Sequence, residues 1–495
     1  MKTTLSFRYG LSKSRITSFE QCPKKLWLSV HRRDLAEYDA GAEARFASGN
    51  AVGDIACALH PSGVMIEAEP DLGAAVAETA RLIAEGHPGP IFEATFEHDG
   101  VLVRVDVLER RKKGWHAAEV KSSTGVKNYH RGDLATQAWV LQACGLPLKS
   151  ASVRHIDRDF ELTREGDYAG LFADAELLRP LKSIIDCRAG VVAAAREVLA
   201  GEEPVVEIGE HCSSPFECEF SAWCRRDLPT GPDWPVTLLP YGGGKKWAEQ
   251  GIKDLLELDE GDLNARNARI LAATRDDAPF HDAKGARKAM KSWGWPRAWL
   301  DFETIAAAVP RWIGTGPYQQ IPFQFSLHLE AKDGTITHYE FLSCDGTDPR
   351  RACAEALVKM IPAGACVIAY NASFEKRVLR DLAGWFSDLA KPLLALEAST
   401  VDLLPIAREH WYHRDQRGSW SIKALLPTIA PELDYASLEV KDGGDAQEAW
   451  MEAAAPDCDP LRREALADAL KAYCERDTWA MVKVARTLIE ADAAE

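Results

Sequence analysis

The stretch VLVRVDVLERRKKGWHAAEVKSS, residues 101–123, decides the reading of the first half of the chain. Polar and apolar residues alternate through VLVRVDVLER (101–110), break at RKKG, and resume in WHAAEVKSS (115–123). That pattern predicts two antiparallel strands closed by a short turn. Residues two apart in a strand share a face, so Glu119 and Lys121 point the same way, with Asp106 on the partner strand. Two carboxylates and an ammonium on one sheet face suit metal-assisted phosphodiester hydrolysis. The carboxylates hold Mg²⁺ or Mn²⁺, and the lysine positions water and offsets developing charge. Glu93, in the strand-like IFEATFEH, supplies a further metal ligand in this reading. Taken alone, an E-x-K triplet is equally a surface ion pair.

Outward from the hairpin, HCSSPFECEFSAWC (211–224) carries Cys212, Cys218 and Cys224 with five residues between neighbours. No secretory leader pattern opens the sequence, and no run of about 18 apolar residues predicts a membrane span. A cytoplasmic location follows as an expectation, and clustered thiols there point to a metal or to catalysis rather than disulfides. Single cysteines in apolar stretches, such as Cys57, Cys144 and Cys366, read as ordinary buried residues. The 495 residues predict two or three domains, and the net charge of −16 argues against a broad non-specific grip on DNA or acidic lipid.

The breaker-rich LPTGPDWPVTLLPYGGGKK (228–246) interrupts the pattern. Its GGGKK lacks P-loop spacing and reads as part of a linker. A polar, mostly helical segment follows to 296, and strands return at AWLDFET, IPFQFSLHLE and ACVIAY. Asp301 and Glu303 share one strand face. VIAYNASFEKRVL runs from an apolar strand into a helix that opens with Glu375. In the helical ALADALKAYCERDTWAMVKVARTLI, Tyr473 and Asp477 are four apart and share a face. Four carboxylates of this kind suit two divalent ions about 3.5–4 Å apart, with Tyr473 orienting the attacking water. The aromatic PYQQIPFQFSLHL (317–329) is either a stacking surface for bases or a core strand, and the histidines of REHWYHRD (408–415) read as surface or core residues.

The N-terminal residues resemble the RecB-like branch of the PD-(D/E)XK nucleases: Asp106, then Glu119-Val120-Lys121, then a helix with Gln137 in DLATQAWVLQ. SRITSFEQCPKKLWL (14–28) is similar to the N-terminal signature of the iron–sulfur members, which include AddB and the CRISPR-associated exonucleases. That resemblance implies Cys22 as the fourth ligand beside Cys212, Cys218 and Cys224, around a [4Fe–4S] cluster. A four-cysteine zinc site or free buried thiols are the alternatives. Several relatives carry a metal-binding histidine where this chain reads ASGNAVGDIA (47–56), with His60 nearby. Residues 297–490 resemble the tyrosine-bearing DEDD exonucleases of the DnaQ-like, RNase H fold. Asp301, Glu303, Tyr473 and Asp477 match the motifs, Asp402 matches a supporting acid, and Glu375 stands where that family has aspartate.

The expectation is thus an α/β multidomain chain. A restriction-endonuclease-like domain (1–228) and an RNase H-like domain (297–495) flank a linker and helical segment (229–296). Its implied function is metal-dependent cleavage of DNA, at single-stranded ends, in repair or in defence against foreign DNA, with a helicase or repair factor as a conceivable partner. A nucleic-acid-binding scaffold with inactive sites, or an RNA exonuclease, are the competing readings.

Overall fold

A computed structural model describes residues 10–38, 42–68 and 71–490, with side chains from 48 onward in the second stretch. It is a mixed α/β protein of two compact units. One runs to Leu228 and includes Ala307–Gln319; the other comprises Pro229–Ala306 and the chain from Gln320. Among the described residues, no helix is long and apolar enough to cross a membrane.

The first unit is built on β1 (Leu11–Ser12), β2 (Val64–Met65), β3 (Ile91–His98), β4 (Val101–Arg111), β5 (Gly114–Lys121), β6 (Leu148–Ile156) and β7 (Phe172–Glu176). The sheet order is β2-β3-β4-β5-β6-β7, with β1 added to β4. The alternating stretch forms the β4–β5 hairpin as expected, paired from Val107↔Ala118 to Arg111↔Gly114. Gly114, at φ 148°, takes a backbone angle that side chains resist at the turn. Helix Asn128–Ala143 then crosses to β6, which runs parallel to β5. It packs Leu134, Ala138 and Leu141 into the sheet's core. His130, Asp133 and Gln137, at helical spacing, are also buried. This polar stripe lies beside the carboxylates of the hairpin.

The second unit contains a ribbon of β8 (Phe280–His281) with β14 (Trp411–Tyr412), and a five-stranded sheet. The sheet strands are β9 (Arg297–Ile305), β10 (Ile321–Glu330), β11 (Ile336–Leu342), β12 (Cys366–Ala369) and β13 (Thr400–Asp402), in the order β11-β10-β9-β12-β13. β9, β10 and β11 are antiparallel, whereas β12 and β13 run parallel to β9. Both faces are covered, and β9 shows why. Ala298, Leu300 and Phe302 join a core with helices Arg350–Met360 and Ser373–Trp385, while Trp299 joins a second core with the C-terminal helix Pro460–Ile489. The period of two therefore puts Asp301 and Glu303 on the Trp299 face, towards that helix.

Residues 229–296 differ from the expected linker. Val236, Leu239, Leu255, Ile270 and Met290 share a core with Trp299, Leu403 and Leu488, so this segment is part of the second unit. Much of it, including most of 251–263, is short single-turn structure and loop rather than long helix. The stretch 317–329 also divides: Tyr318 lies in the first unit, and Phe323, Phe325 and Leu327 are core residues of β10. Cys366 is buried as expected, but Cys144 is exposed and Cys57 half-buried; Cys144 ends a helix at the surface.

Candidate nuclease sites and a cysteine cavity

In the second unit, Asp301, Glu303 and Asp477 each place a carboxylate oxygen within 4.8 Å of the others. β9 supplies the first two and the C-terminal helix the third. Glu375 enters from the first turn of helix Ser373–Trp385; it is buried, and its Oε2 has no hydrogen-bond partner among the described residues. Burial, then the mutual repulsion of Asp477 and its neighbours, pushes Glu303 up to about 8. Asp301 is raised well above the ordinary carboxylate range by the same causes, and Glu375 to about 8 by burial and the charge of Asp402. Asp477 rises less, to about 6, because burial is opposed by a hydrogen bond from Tyr435. That bond, Tyr435 Oη to Asp477 Oδ1, measures 2.5 Å. Tyr473 also donates to Asp477, and the Lys423 ammonium lies 5.1 Å from the Tyr473 ring centre and 5.5 Å from that of Tyr435. Asp402 is structural: its Oδ1 accepts the backbone N–H groups of Asn371 and Leu404, both at 3.0 Å, tying the ends of β12 and β13 together.

Elsewhere in this unit, a cavity of about 440 Å³ is walled by Tyr241, Tyr370, Asn371, Arg408, Trp420 and Ile422 among others. Tyr241 is exposed, at φ 56°, with the guanidinium groups of Arg266 and Arg408 each 5.7 Å from its ring centre. The Nε atoms of both arginines are buried without an acceptor among the described residues. The GGGKK loop, read from sequence as linker, follows Tyr241 directly.

In the first unit the hairpin gathers the residues named for it. Glu119 is buried and fully engaged: Lys121 Nζ lies 2.8 Å from its Oε1, Lys13 Nζ pairs with the same oxygen, and Gln137 Nε2 donates to Oε2. Burial alone would raise the Glu119 carboxyl, but Lys13 and Lys121 hold it down at about 2. Asp106 goes the other way. Burial and the charge of Glu119 push it to about 7, although its Oδ2 accepts the Val120 N–H at 2.6 Å. Lys121 also pairs with Asp133 at 3.1 Å, and Thr17 donates to the other oxygen of Asp133 at 2.7 Å. Glu93 sits near Asp106 at a strained φ of 52°, its carboxylate held by Arg104 at 3.0 Å. His60 stands apart, 3.9 Å from Glu109 and 3.4 Å from Arg154.

Cys22, Cys212, Cys218 and Cys224 line a single cavity. Cys22 closes helix Lys13–Gln21 and opens helix Pro23–His31. The late thiols sit on a tight loop in which the Cys218 N–H bonds to the Cys212 carbonyl at 2.8 Å, followed by helix Ser221–Arg225. Gln21 laces the two segments together, donating to the carbonyls of His211 at 2.8 Å and Phe216 at 2.7 Å. Burial raises the Cys218 and Cys224 thiols, with Cys22 close enough to add to both shifts.

Sequence reasoning missed Lys13, Asp133, Tyr435 and Lys423. Asp133 stood within the quoted DLATQAWVLQ and Lys13 just ahead of SRITSFEQCPKKLWL, and only the fold reveals that they face the hairpin acids.

A model of a domain of unknown function (DUF2779) matches residues 298–421, a span that contains Asp301, Glu303 and Glu375 but not Tyr473 or Asp477. The chain is similar to an uncharacterized protein of Mycoplasma pneumoniae, 26% identical over 209 residues, covering 38% of this chain and 31% of that one. A second uncharacterized protein, from Mycoplasma genitalium, is 24% identical over 209 residues with the same coverage. The chain thus spans about a third of the length of these relatives.

Proposed function

We propose that this protein is a metal-dependent nuclease with two sites, the better-supported one in the second unit. The observation that carries the reading is the convergence of Asp301, Glu303 and Asp477 within 4.8 Å, with Glu375 near enough for its charge to raise Asp301 and Glu303. Buried carboxylates this close are mutually repulsive without a cation, and Glu375 Oε2 has no hydrogen-bond partner among the described residues. These residues fit Mg²⁺ or Mn²⁺. Such ions would supply an activated water and neutralise the scissile phosphate. The chain's own contribution is placement. β9 fixes Asp301 and Glu303, Tyr435 and Tyr473 hold Asp477 by hydrogen bonds, and Lys423 offsets negative charge from beyond the two rings. The strand order β11-β10-β9-β12-β13, with its antiparallel edge and parallel half, agrees with the RNase H-like fold expected of a DEDD exonuclease.

For the first unit, the three-stranded β3–β4–β5 meander and the crossover helix to parallel β6 support the restriction-endonuclease-like assignment. Asp106 and Glu119 would hold the divalent ion, for which Lys13, now paired with Glu119, would have to withdraw. Glu93 is committed to Arg104. Lys121 remains beside Glu119 to steer a water. The four cysteines fit a metal centre by convergence on one cavity. The resemblance of 14–28 to the iron–sulfur nucleases favours a [4Fe–4S] cluster held by Cys22, Cys212, Cys218 and Cys224, with zinc as the alternative.

The substrate class is nucleic acid, with single-stranded DNA ends preferred. The exposed Tyr241 ring, with the guanidinium groups of Arg266 and Arg408 each 5.7 Å from its centre, suits a base and its phosphate. The test is incubation of the full chain with single-stranded DNA and RNA oligonucleotides in Mg²⁺, Mn²⁺ and EDTA. Metal-dependent shortening is expected, with DNA favoured. Inactivity on every substrate with both metals would sink the proposal in favour of a binding scaffold.

A further inference from the structure

Two histidines and a glutamate on the second unit belong to none of the sites above. His328 and His338 stand directly opposite each other on β10 and β11, with ring centres 4.6 Å apart. Glu475 reaches them from the C-terminal helix, and one donor atom from each of the three lies within 4.8 Å of the others.

Hydroxyl groups brace both rings: Thr478 Oγ1 lies 2.9 Å from His328 Nδ1, and Ser326 Oγ lies 2.9 Å from His338 Nε2 and 2.7 Å from Thr478 Oγ1. With a hydroxyl at one nitrogen of each ring, His328 Nε2 and His338 Nδ1 are the nitrogens open to a metal ion. His338 Nδ1 faces Glu475 Oε1 at 3.8 Å, too long for a direct hydrogen bond and wide enough for an ion to bridge.

We propose that His328, His338 and Glu475 form a transition-metal site for Zn²⁺ or a similar borderline ion, separate from the acidic cluster. Two neutral imidazoles and one carboxylate are a zinc-type set, whereas the all-oxygen cluster at Asp301 suits Mg²⁺ or Mn²⁺. The hydroxyls of Thr478 and Ser326 orient both rings from behind, the usual companion of a metal-bound histidine. A tetrahedral ion with bonds of about 2.0–2.1 Å needs donors roughly 3.3 Å apart. Glu475, 52% exposed, has the freedom to close that gap by side-chain rotation. Three protein ligands leave a fourth position for water. Because Glu475 lies between Tyr473 and Asp477, the ion would pin the helix that carries both.

The inference is independent of the nuclease reading. The test is zinc content and affinity of the full chain in millimolar Mg²⁺, compared with His338→Ala and Glu475→Gln, neither a member of the acidic cluster. The unaltered chain should hold one Zn²⁺ equivalent more than His338→Ala, and Glu475→Gln should bind that equivalent at least 10-fold more weakly. Co²⁺ should give a visible spectrum of nitrogen and oxygen ligation that disappears in His338→Ala. Equal zinc content and affinity in all three proteins overturns the proposal and leaves the trio as a proton-mediated ion pair. Circular dichroism on the half-exposed Glu475→Gln variant separates ligand loss from misfolding.

Discussion

At the residue scale, the acidic cluster makes a prediction about protons. Glu303 and Glu375 titrate near 8 and Asp477 near 6 in the folded chain, against ordinary values near 4 when unfolded. Between about pH 4 and pH 8 the folded state therefore binds more protons than the unfolded state, and stability falls as pH rises through that window. Without divalent ions the second unit should melt at lower temperature at pH 8 than at pH 5. Mn²⁺ should raise the melting temperature more at pH 8, where it does not compete with protons. Asp301→Asn should flatten both effects. A metal-free melting temperature that rises towards pH 8 would contradict the arrangement. Asp477 carries a related expectation. It is held by two tyrosine hydroxyls, so Tyr435→Phe and Tyr473→Phe should each lower cleavage, and the double variant should cost more than either; indifference to Tyr435→Phe would remove it from the site. Much of this cluster was legible in sequence, because D-x-E on a strand and Y-x-x-x-D on a helix obey local periodicity. Tyr435 was not. It sits in a single-turn segment, and only tertiary packing brings its hydroxyl to Asp477.

At the scale of elements, the β4–β5 hairpin was read correctly because alternation and a turn are local signals. The 229–296 segment was misread for the converse reason. Its apolar residues, such as Val236, Leu239 and Leu255, lie in short turns broken by proline and glycine, so no period announces that they are core. The Tyr241 platform was hidden in the same stretch. Stacking of a base on an aromatic ring is worth about 1–3 kcal/mol, so Tyr241→Ala should weaken single-stranded DNA binding about 5- to 150-fold. The affinity is to be measured in Ca²⁺, without cleavage, by fluorescence anisotropy. Unchanged affinity would remove this platform from the substrate path and leave the acidic cluster as it stands. The cysteine cavity ties helix Pro23–His31 to a loop about 190 residues away, a long closure with a matching entropy cost when released. Cys22→Ser should lower the melting temperature of the first unit and abolish the visible absorbance expected of an iron–sulfur cluster. A colourless unaltered protein holding zinc at these thiols would reverse the cluster assignment.

For the whole molecule, two α/β units each bury carboxylates on interior strands of a sheet, but in different electrostatic states. In the first, Lys13 and Lys121 neutralise Glu119 and leave Asp106 titrating near neutrality. In the second, the acids outnumber Lys423 and repel one another. That contrast predicts that the second site depends more steeply on divalent ion concentration. The division into units was legible at residue 228, where breakers cluster, but the assignment of Ala307–Gln319 to the first unit was not. Nothing local marks a loop between two strands as belonging to another core; the Tyr168 Oη to Pro310 carbonyl bond and the packing of Ala308 with Ile156 and Leu171 exist only in three dimensions. The central claim, two separate nuclease sites on one chain, is tested most directly on single-stranded DNA labelled separately at its 5′ and 3′ ends. The unaltered chain, Lys121→Ala, Asp301→Ala and the double variant are compared in Mn²⁺. The account predicts that each single change removes a different end-directed activity and that the double variant is inert. Four proteins that all bind the DNA while none cuts it would contradict it.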